Sequence, residues 1–151
     1  MRPLRGLPLL LVSGAFILAT LAESACSLGE SFGADSRCDR RYGTNPNPDP
    51  FCQELLRTVA GKKFRDDCQT KLRGQPGEGT CPRANIIAGC RSNERHDDDS
   101  VTIDWFYDVS GEAIAIPKDR YIQGENDVRT LCNDRTRYAD GAVFLRANQF
   151  E

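Results

Sequence analysis

The chain has 151 residues, of which 20 are Lys or Arg and 22 are Asp or Glu, giving a formal net charge of −2 at pH 7. These charges are interspersed, and no basic patch alternates with aromatic residues, which argues against nucleic acid as a partner. The length is enough for one modest domain.

Residues 1–24 have the pattern of a signal peptide. Arg2 and Arg5 precede an apolar run over residues 7–22, and small residues follow it. An uncleaved membrane anchor is the alternative, but a spanning helix needs about 20 apolar residues, and a proline and a glycine interrupt this run. We therefore expect an exported protein, either secreted or held in the periplasm or outer envelope.

All seven cysteines follow this segment. In an oxidising compartment, cysteines in a small domain form disulfide bonds. The chain has a single histidine and no C-x-x-C spacing, so a zinc site is not expected. The six cysteines expected in bridges are Cys38, Cys52, Cys68, Cys81, Cys90 and Cys132. They allow 15 connectivities, and we predict Cys81–Cys90 first, because the two residues flank a short strand segment.

Cys26 is the cysteine left over, and three fates stay open for it: a lipid-carrying N-terminus, a free thiol or an intermolecular bridge. The small residues Ser24 and Ala25 before it favour lipid attachment. Glu23 stands where a lipoprotein signal usually has leucine, which argues against it. Contact with a membrane is expected only through such a lipid.

Residues 25–48 are predicted to be an irregular segment tethered by cysteine, because glycines and the run T-N-P-N-P-D-P disfavour regular structure. A domain over residues 49–151 follows. Asp49-Pro50 is typical of a helix start, and apolar residues at 52, 55, 56 and 59 have helical spacing. Gly61 interrupts this spacing, which restarts at Phe64 and is closed by Gly74, so we expect either two short helices or one helix kinked at Gly61, with a Gly/Pro loop after it.

A short antiparallel sheet is predicted next, centred on the strand 100–109. Its alternation buries one face and leaves Thr102, Asp104 and Asp108 on the other. A strand around 86–90 pairs with it across the loop 92–99. Further elements are a strand at 112–116, a short helix near 126–134 and a strand at 142–145. The predicted class is α+β: a small disulfide-stapled domain with a helical pair packed on a short antiparallel sheet.

Two patterns bear on chemistry. G-x-S-x-G at residues 29–33 matches the nucleophile elbow of hydrolases, but no strand precedes Ser31 and the only histidine, His96, lies in a polar loop. We interpret the match as chance and expect no catalytic residue and no cofactor. Five aspartates near the central strand are weak candidates for a calcium site: Asp97, Asp98, Asp99, Asp104 and Asp108. Their spacing differs from a calcium-binding loop, so a solvated acidic loop is the favoured interpretation.

A framework of cysteines and aromatic residues runs along the chain: F-C-x-E-L at 51–55, Cys68, a glycine-rich stretch before Cys81-Pro82, G-C at 89–90, V-T-x-x-W-F-Y at 101–107, and Cys132. This order resembles small exported proteins and lipoproteins of myxobacteria-like bacteria. The resemblance implies an exported compartment and a set of disulfide staples, and it implies no catalytic residues.

The sequence thus predicts a non-catalytic envelope or surface protein with a binding or structural role. Its partner would be a protein or an envelope surface. The alternative is a secreted effector, resembling an inhibitor or toxin, that acts on a protein of another cell.

Overall fold

The computed structural model describes residues 33–114 and 116–149. Within these ranges, six strands form one sheet, two α-helices pack on it, and a 3-10 turn spans Lys118–Arg120. The elements are β1 (Ala34–Asp39), β2 (Phe51–Thr58), α1 (Gly61–Thr70), β3 (Gln75–Glu78), β4 (Ile86–Ser92), β5 (Val101–Tyr107), α2 (Glu125–Cys132) and β6 (Ala142–Arg146). The strand order is β3-β1-β2-β5-β4-β6, and every neighbouring pair is antiparallel. The predicted α+β class is confirmed.

Strand β5 lies inside the sheet between β2 and β4, and both of its faces are covered. On one face Ile103, Trp105 and Tyr107 pack against the segments after β3 and β5; we call this the loop face. The opposite face, which carries Asp104 and Phe106, is the helical face, because Phe106 packs in the cluster that includes α2. The predicted alternation is therefore correct, but the face expected to meet solvent is largely buried as well.

The segment predicted as the first helix is strand β2, which is a correction. Phe51, Cys52, Leu55 and Leu56 are all buried, because β2 sits between β1 and β5 and packs on both faces. A strand that is apolar on both faces can reproduce helical spacing over a few residues. The second predicted helix is α1, which carries Lys62–Asp66 and Lys63–Asp67 pairs one turn apart at 2.8 Å.

Three further expectations differ from the structure. Residues 34–39, predicted to be irregular, form β1, and the stretch predicted as a Gly/Pro loop contains β3, paired with β1. The strand predicted at 112–116 has no counterpart in its described residues, where turns and irregular backbone lead to the 3-10 turn. The strands around 86–90 and 142–145 and the helix near 126–134 are confirmed as β4, β6 and α2.

Three disulfide bonds link the six predicted cysteines: Cys38–Cys68, Cys52–Cys81 and Cys90–Cys132. The prediction of a Cys81–Cys90 bridge is wrong. Cys52 pairs in register with Trp105, so the Cys52–Cys81 bridge lies on the loop face. Cys90 pairs in register with Asp104 and therefore points to the helical face, where it bonds to α2. Cys81 and Cys90 are separated by the sheet itself.

On the helical face, α1 lies over the outer strands β1 and β3, and α2 lies over β4 and β6. The Cys38–Cys68 and Cys90–Cys132 bridges fasten these two helices to the sheet. Within the described part of the chain, no helix has the length and apolar character needed to cross a membrane.

Candidate functional site

A cleft lies on the helical face over the central strands, beside α2. It consists of two adjoining cavities of about 520 Å³ and about 420 Å³. We call the larger one the polar cavity and the smaller one the apolar cavity. Asp49, Phe51 and Arg137 line both of them, so the two form one continuous surface.

The floor of the polar cavity is built around Asp104, which is only 4% exposed. Gln53, its register partner on β2, donates a 2.9 Å hydrogen bond from Nε2 to Oδ1 of Asp104. The other oxygen, Oδ2, accepts hydrogen bonds from the Tyr138 hydroxyl at 2.6 Å and from Nη2 of Arg137 at 3.1 Å. A buried carboxylate with three donors is fully satisfied, which is the condition for keeping a charge at this depth.

Arg137 lies where the two cavities meet. Its guanidinium lies 4.4 Å from the ring centre of Phe51 and 5.1 Å from that of Phe106, both within the range of cation–π contacts. Burial disfavours its charge, but Asp104 and Tyr138 outweigh that effect and raise the pKa of Arg137. The side chain is 29% exposed, so this permanently charged group is also accessible from the cleft.

Tyr138 contributes a fixed donor. Burial and the neighbouring Asp104 raise the pKa of its phenol well above the ordinary value. The hydroxyl therefore stays protonated across the physiological pH range and donates to the carboxylate.

The loop between α2 and β6 positions Arg137 and Tyr138. Oδ1 of Asp134 accepts hydrogen bonds from the amide and the hydroxyl of Thr136 at 2.8 and 2.7 Å, which closes a tight turn and lowers the pKa of Asp134. The Tyr138 amide donates to the Asp134 carbonyl at 2.9 Å, and the Gly141 amide donates to the Tyr138 carbonyl at 2.8 Å. Since Cys132 precedes this loop, the disulfide to Cys90 fixes its start on the sheet.

The apolar cavity lies between this sheet face and α2. Its walls include Phe51, Phe106, Ile122 and Leu131. Ile122 and Leu131 are partly buried and belong to the same hydrophobic cluster as Phe106. The cavity thus presents apolar surface beside the charged head of Arg137.

The rim of the cleft is acidic. Asp49, shared by both cavities, pairs with Arg40 at 2.8 Å and lies 3.6 Å from Arg120. Glu94 and Asp140 line the polar cavity and are exposed. Among the described residues, neither of these two carboxylates forms a salt bridge or accepts a hydrogen bond. Asp119 and Asp127 add two further carboxylates at the apolar cavity.

The five aspartates considered for calcium serve separate local roles. Asp98 accepts hydrogen bonds from the Thr58 hydroxyl at 2.9 Å and the Val59 amide at 3.0 Å, ahead of β5, and hydrogen bonds from Ser100, Val59 and Thr58 lower its pKa. Asp108 lies beyond the other end of β5 and bonds to Ser110, while Asp104 is held in the cleft floor. Asp97 and Asp99 belong to the turn before β5. Over residues 33–114 and 116–149, no group of three potential ligands could hold a metal ion.

The remaining sequence candidates contribute little to the cleft. His96 forms a 3.0 Å hydrogen bond through Nε2 with the hydroxyl of Thr102, whose residue lines the polar cavity. Ser31 and the other G-x-S-x-G residues before Gly33 lie outside the described residues, as do Cys26 and the predicted signal peptide at 1–24.

No local pattern in the sequence indicates Arg137, Tyr138 or Gln53 as site residues. One signal is available: Asp104 is a charged residue between Ile103 and Trp105 in an otherwise uncharged strand. A charge in that position requires buried partners, although their identity depends on long-range contacts.

Comparison with known proteins adds no family assignment, because neither the protein-family models nor the curated proteins nor the solved structures give a match.

Proposed function

We propose that this chain is an exported, non-catalytic binding protein whose ligand site is the cleft on the helical face. The pair formed by the buried Asp104 and the partly exposed Arg137 carries the proposal. Removing a charge such as Asp104 from water costs several kcal/mol, and apolar residues in place of a buried ion pair are often as stable or more stable. A charged cluster on the floor of an open cleft therefore suits recognition better than it suits folding.

The chemistry of the cluster favours binding over catalysis. Both oxygens of Asp104 already accept hydrogen bonds, and the raised pKa of Tyr138 keeps its phenol protonated near neutral pH. A general base works best when its pKa is near the operating pH. Tyr138 instead donates its one O–H to Asp104, and these two residues hold Arg137 as a fixed donor at the cleft, which is the arrangement that orients a ligand.

Export is part of the same proposal. Disulfides persist in oxidising compartments, and three of them fasten this small domain, two by anchoring the helices that flank the cleft. Together with the signal-like residues 1–24, they support a secreted or envelope location. Cys26 would then carry a lipid, pair with another molecule or remain a thiol. Intact mass spectrometry of the protein from its producing cells, with and without reduction, distinguishes these fates.

Site-specific photo-crosslinking tests the binding role. Benzoylphenylalanine placed at Ala139, an exposed residue lining the polar cavity, should give a discrete adduct in the producing cells. The matched control is the same group at Gln69, an exposed residue of α1. Adducts from neither position, or equal adducts from both, would contradict a cleft-specific partner. An adduct with a protein of a second, competing cell would favour the alternative role as a secreted effector.

A further inference from the structure

The charge on the cleft suggests the class of its ligand. Six carboxylates line the two cavities together, against two guanidinium groups. The carboxylates are Asp49, Glu94, Asp104, Asp119, Asp127 and Asp140. Arg137 pairs with Asp104, while Arg40 and Arg120 lie 2.8 and 3.6 Å from Asp49. The net charge of the cleft is therefore negative, with Glu94 and Asp140 on the rim of the polar cavity and Asp119 and Asp127 at the apolar cavity.

This charge distribution selects against phosphate and other anionic ligands, which would meet like charge, and favours a cation. A small inorganic cation is a poor fit, because the carboxylates are spread over a cleft rather than gathered around one point. An arginine or lysine side chain fits better, since its head can reach the rim carboxylates while its stem lies along apolar surface.

The apolar cavity adds a second requirement for the ligand, which is an apolar group. Phe51 and Phe106 on the floor and Ile122 and Leu131 on the wall form a pocket that a large apolar side chain can fill. Both cavities meet at Asp49, Phe51 and Arg137, so one continuous ligand can occupy both. The exposed guanidinium of Arg137 at this junction can donate a hydrogen bond to a backbone carbonyl.

We propose that the cleft binds an extended peptide segment in which a basic residue stands next to a large apolar residue. The basic side chain occupies the polar cavity between Glu94 and Asp140, and the apolar side chain occupies the apolar cavity against Phe106 and Leu131. This proposal rests on the cleft being the binding site, and it names the class of partner.

Selection from a random dodecapeptide library on the immobilised, oxidised protein tests it. Peptides that pair Arg or Lys with Leu, Ile or Phe should be enriched on the unaltered protein. Enrichment should be lost on Glu94→Gln/Asp140→Asn. It should persist on Asp66→Asn/Glu78→Gln, which removes two exposed carboxylates at the other end of the sheet and changes the net charge equally. Ile122→Ala should relax the preference for the apolar residue only.

A synthetic peptide of the selected sequence then measures how much the basic residue contributes to binding affinity. Replacing its basic residue with citrulline, a neutral analogue of arginine, should weaken binding about fivefold to tenfold at low salt, as expected for two partly exposed ion pairs. Affinity for the unmodified peptide should fall as salt rises.

The other outcomes separate the two proposals. Cleft-dependent enrichment of acidic or uncharged peptides would overturn the ligand class and leave the cleft as a binding site. If no peptide binds in a cleft-dependent way but Ala139 still gives a crosslinked adduct, the ligand class is again wrong and the cleft remains a binding site. If neither experiment gives a cleft-dependent signal, the binding role itself fails.

Discussion

Nε1 of Trp105 donates a 2.9 Å hydrogen bond to Oε2 of Glu54, and both side chains are fully buried on the loop face. The other oxygen of Glu54 accepts a 2.6 Å hydrogen bond from the Cys81 amide and pairs with Arg83 at 2.9 Å. One carboxylate therefore ties the only tryptophan of the chain to the segment that the Cys52–Cys81 bridge anchors.

We expect Glu54→Gln to lower the free energy of unfolding by about 2–4 kcal/mol. The substitution preserves size but replaces one acceptor by a donor, so either the indole or the Cys81 amide loses its partner, and Arg83 loses its counter-charge. Urea unfolding with the disulfides intact measures the change. Glu78→Gln is the control, since the Glu78 side chain is 83% exposed, and it should alter stability by less than about 0.5 kcal/mol. Equal midpoints for the two variants would show that the buried carboxylate is not a structural anchor.

The next prediction concerns Gly89, which faces Trp105 across the β4–β5 pair. A Cβ added there would lie 2.6 Å from Cε3 of the indole, so Gly89→Ala must displace the ring or the strand. We expect a loss of about 1–3 kcal/mol and an altered near-ultraviolet circular dichroism signal from the tryptophan. Gly111→Ala is the matched control, because a Cβ at Gly111 meets no atom within 4 Å. An unchanged tryptophan signal in Gly89→Ala would contradict this packing.

Much of the sheet could be predicted from local pattern. Alternation identifies strand β5, and short apolar runs beside turn residues identify β4 and β6. The helical spacing of Val128, Leu131 and Cys132 identifies α2. The helical spacing of Cys52, Leu55 and Leu56 predicts a helix where the structure has strand β2. Their burial depends on β1 and β5 lying on either side, which is tertiary information that spacing does not carry.

The site residues and the disulfide pairing are harder to predict from the sequence. Pairing is set by the face on which each cysteine lies, and that follows from strand register, so Cys81 and Cys90 are close in sequence but lie on opposite faces. The alternation of Asp104 with Ile103 and Trp105 predicts that Asp104 faces solvent. Its partners Arg137 and Tyr138 come from a loop more than 30 residues later, and no local pattern links them.

The pH dependence of stability should have an alkaline limb set by tyrosines. Burial raises the pKa of Tyr107 and Tyr138 above their ordinary value, which is about 10 in an unfolded chain. Each of these tyrosines has a higher pKa in the folded chain than in the unfolded chain, so the unfolded chain releases the phenol protons first as pH rises. The stabilisation is therefore complete below about pH 10 and is lost as pH rises towards the pKa of the folded chain. Absorbance of tyrosinate at 295 nm should show two tyrosines that ionise only together with unfolding.

Tyr138→Phe tests whether Tyr138 is one of the two tyrosines that ionise only with unfolding. The variant should leave a single tyrosine that ionises with unfolding, and it should also lose stability at neutral pH, because Asp104 then lacks its 2.6 Å donor. Four tyrosines that ionise freely near pH 10 in the folded protein would contradict the burial of both side chains.

The Cys90–Cys132 bridge should control the cleft, whereas the Cys38–Cys68 bridge should not. Removing either pair by double alanine substitution should cost about 2–4 kcal/mol, since each closes a loop of comparable length in the unfolded chain, with separations of 42 and 30 residues. The two double substitutions should loosen different parts of the structure. Helix α2 has eight residues, which is too short to be stable unless packed, and the loop that carries Arg137 and Tyr138 begins directly after Cys132.

Hydrogen exchange with mass spectrometry locates the effect. Cys90→Ala/Cys132→Ala should speed exchange over residues 125–141 and abolish cleft-dependent peptide binding, while Cys38→Ala/Cys68→Ala should speed exchange over residues 61–70 and leave binding intact. Similar loss of binding in both variants would mean that the cleft depends on overall stability. Unchanged binding in Cys90→Ala/Cys132→Ala would mean that the sheet and hydrogen bonds alone hold the Asp104–Arg137 cluster in place.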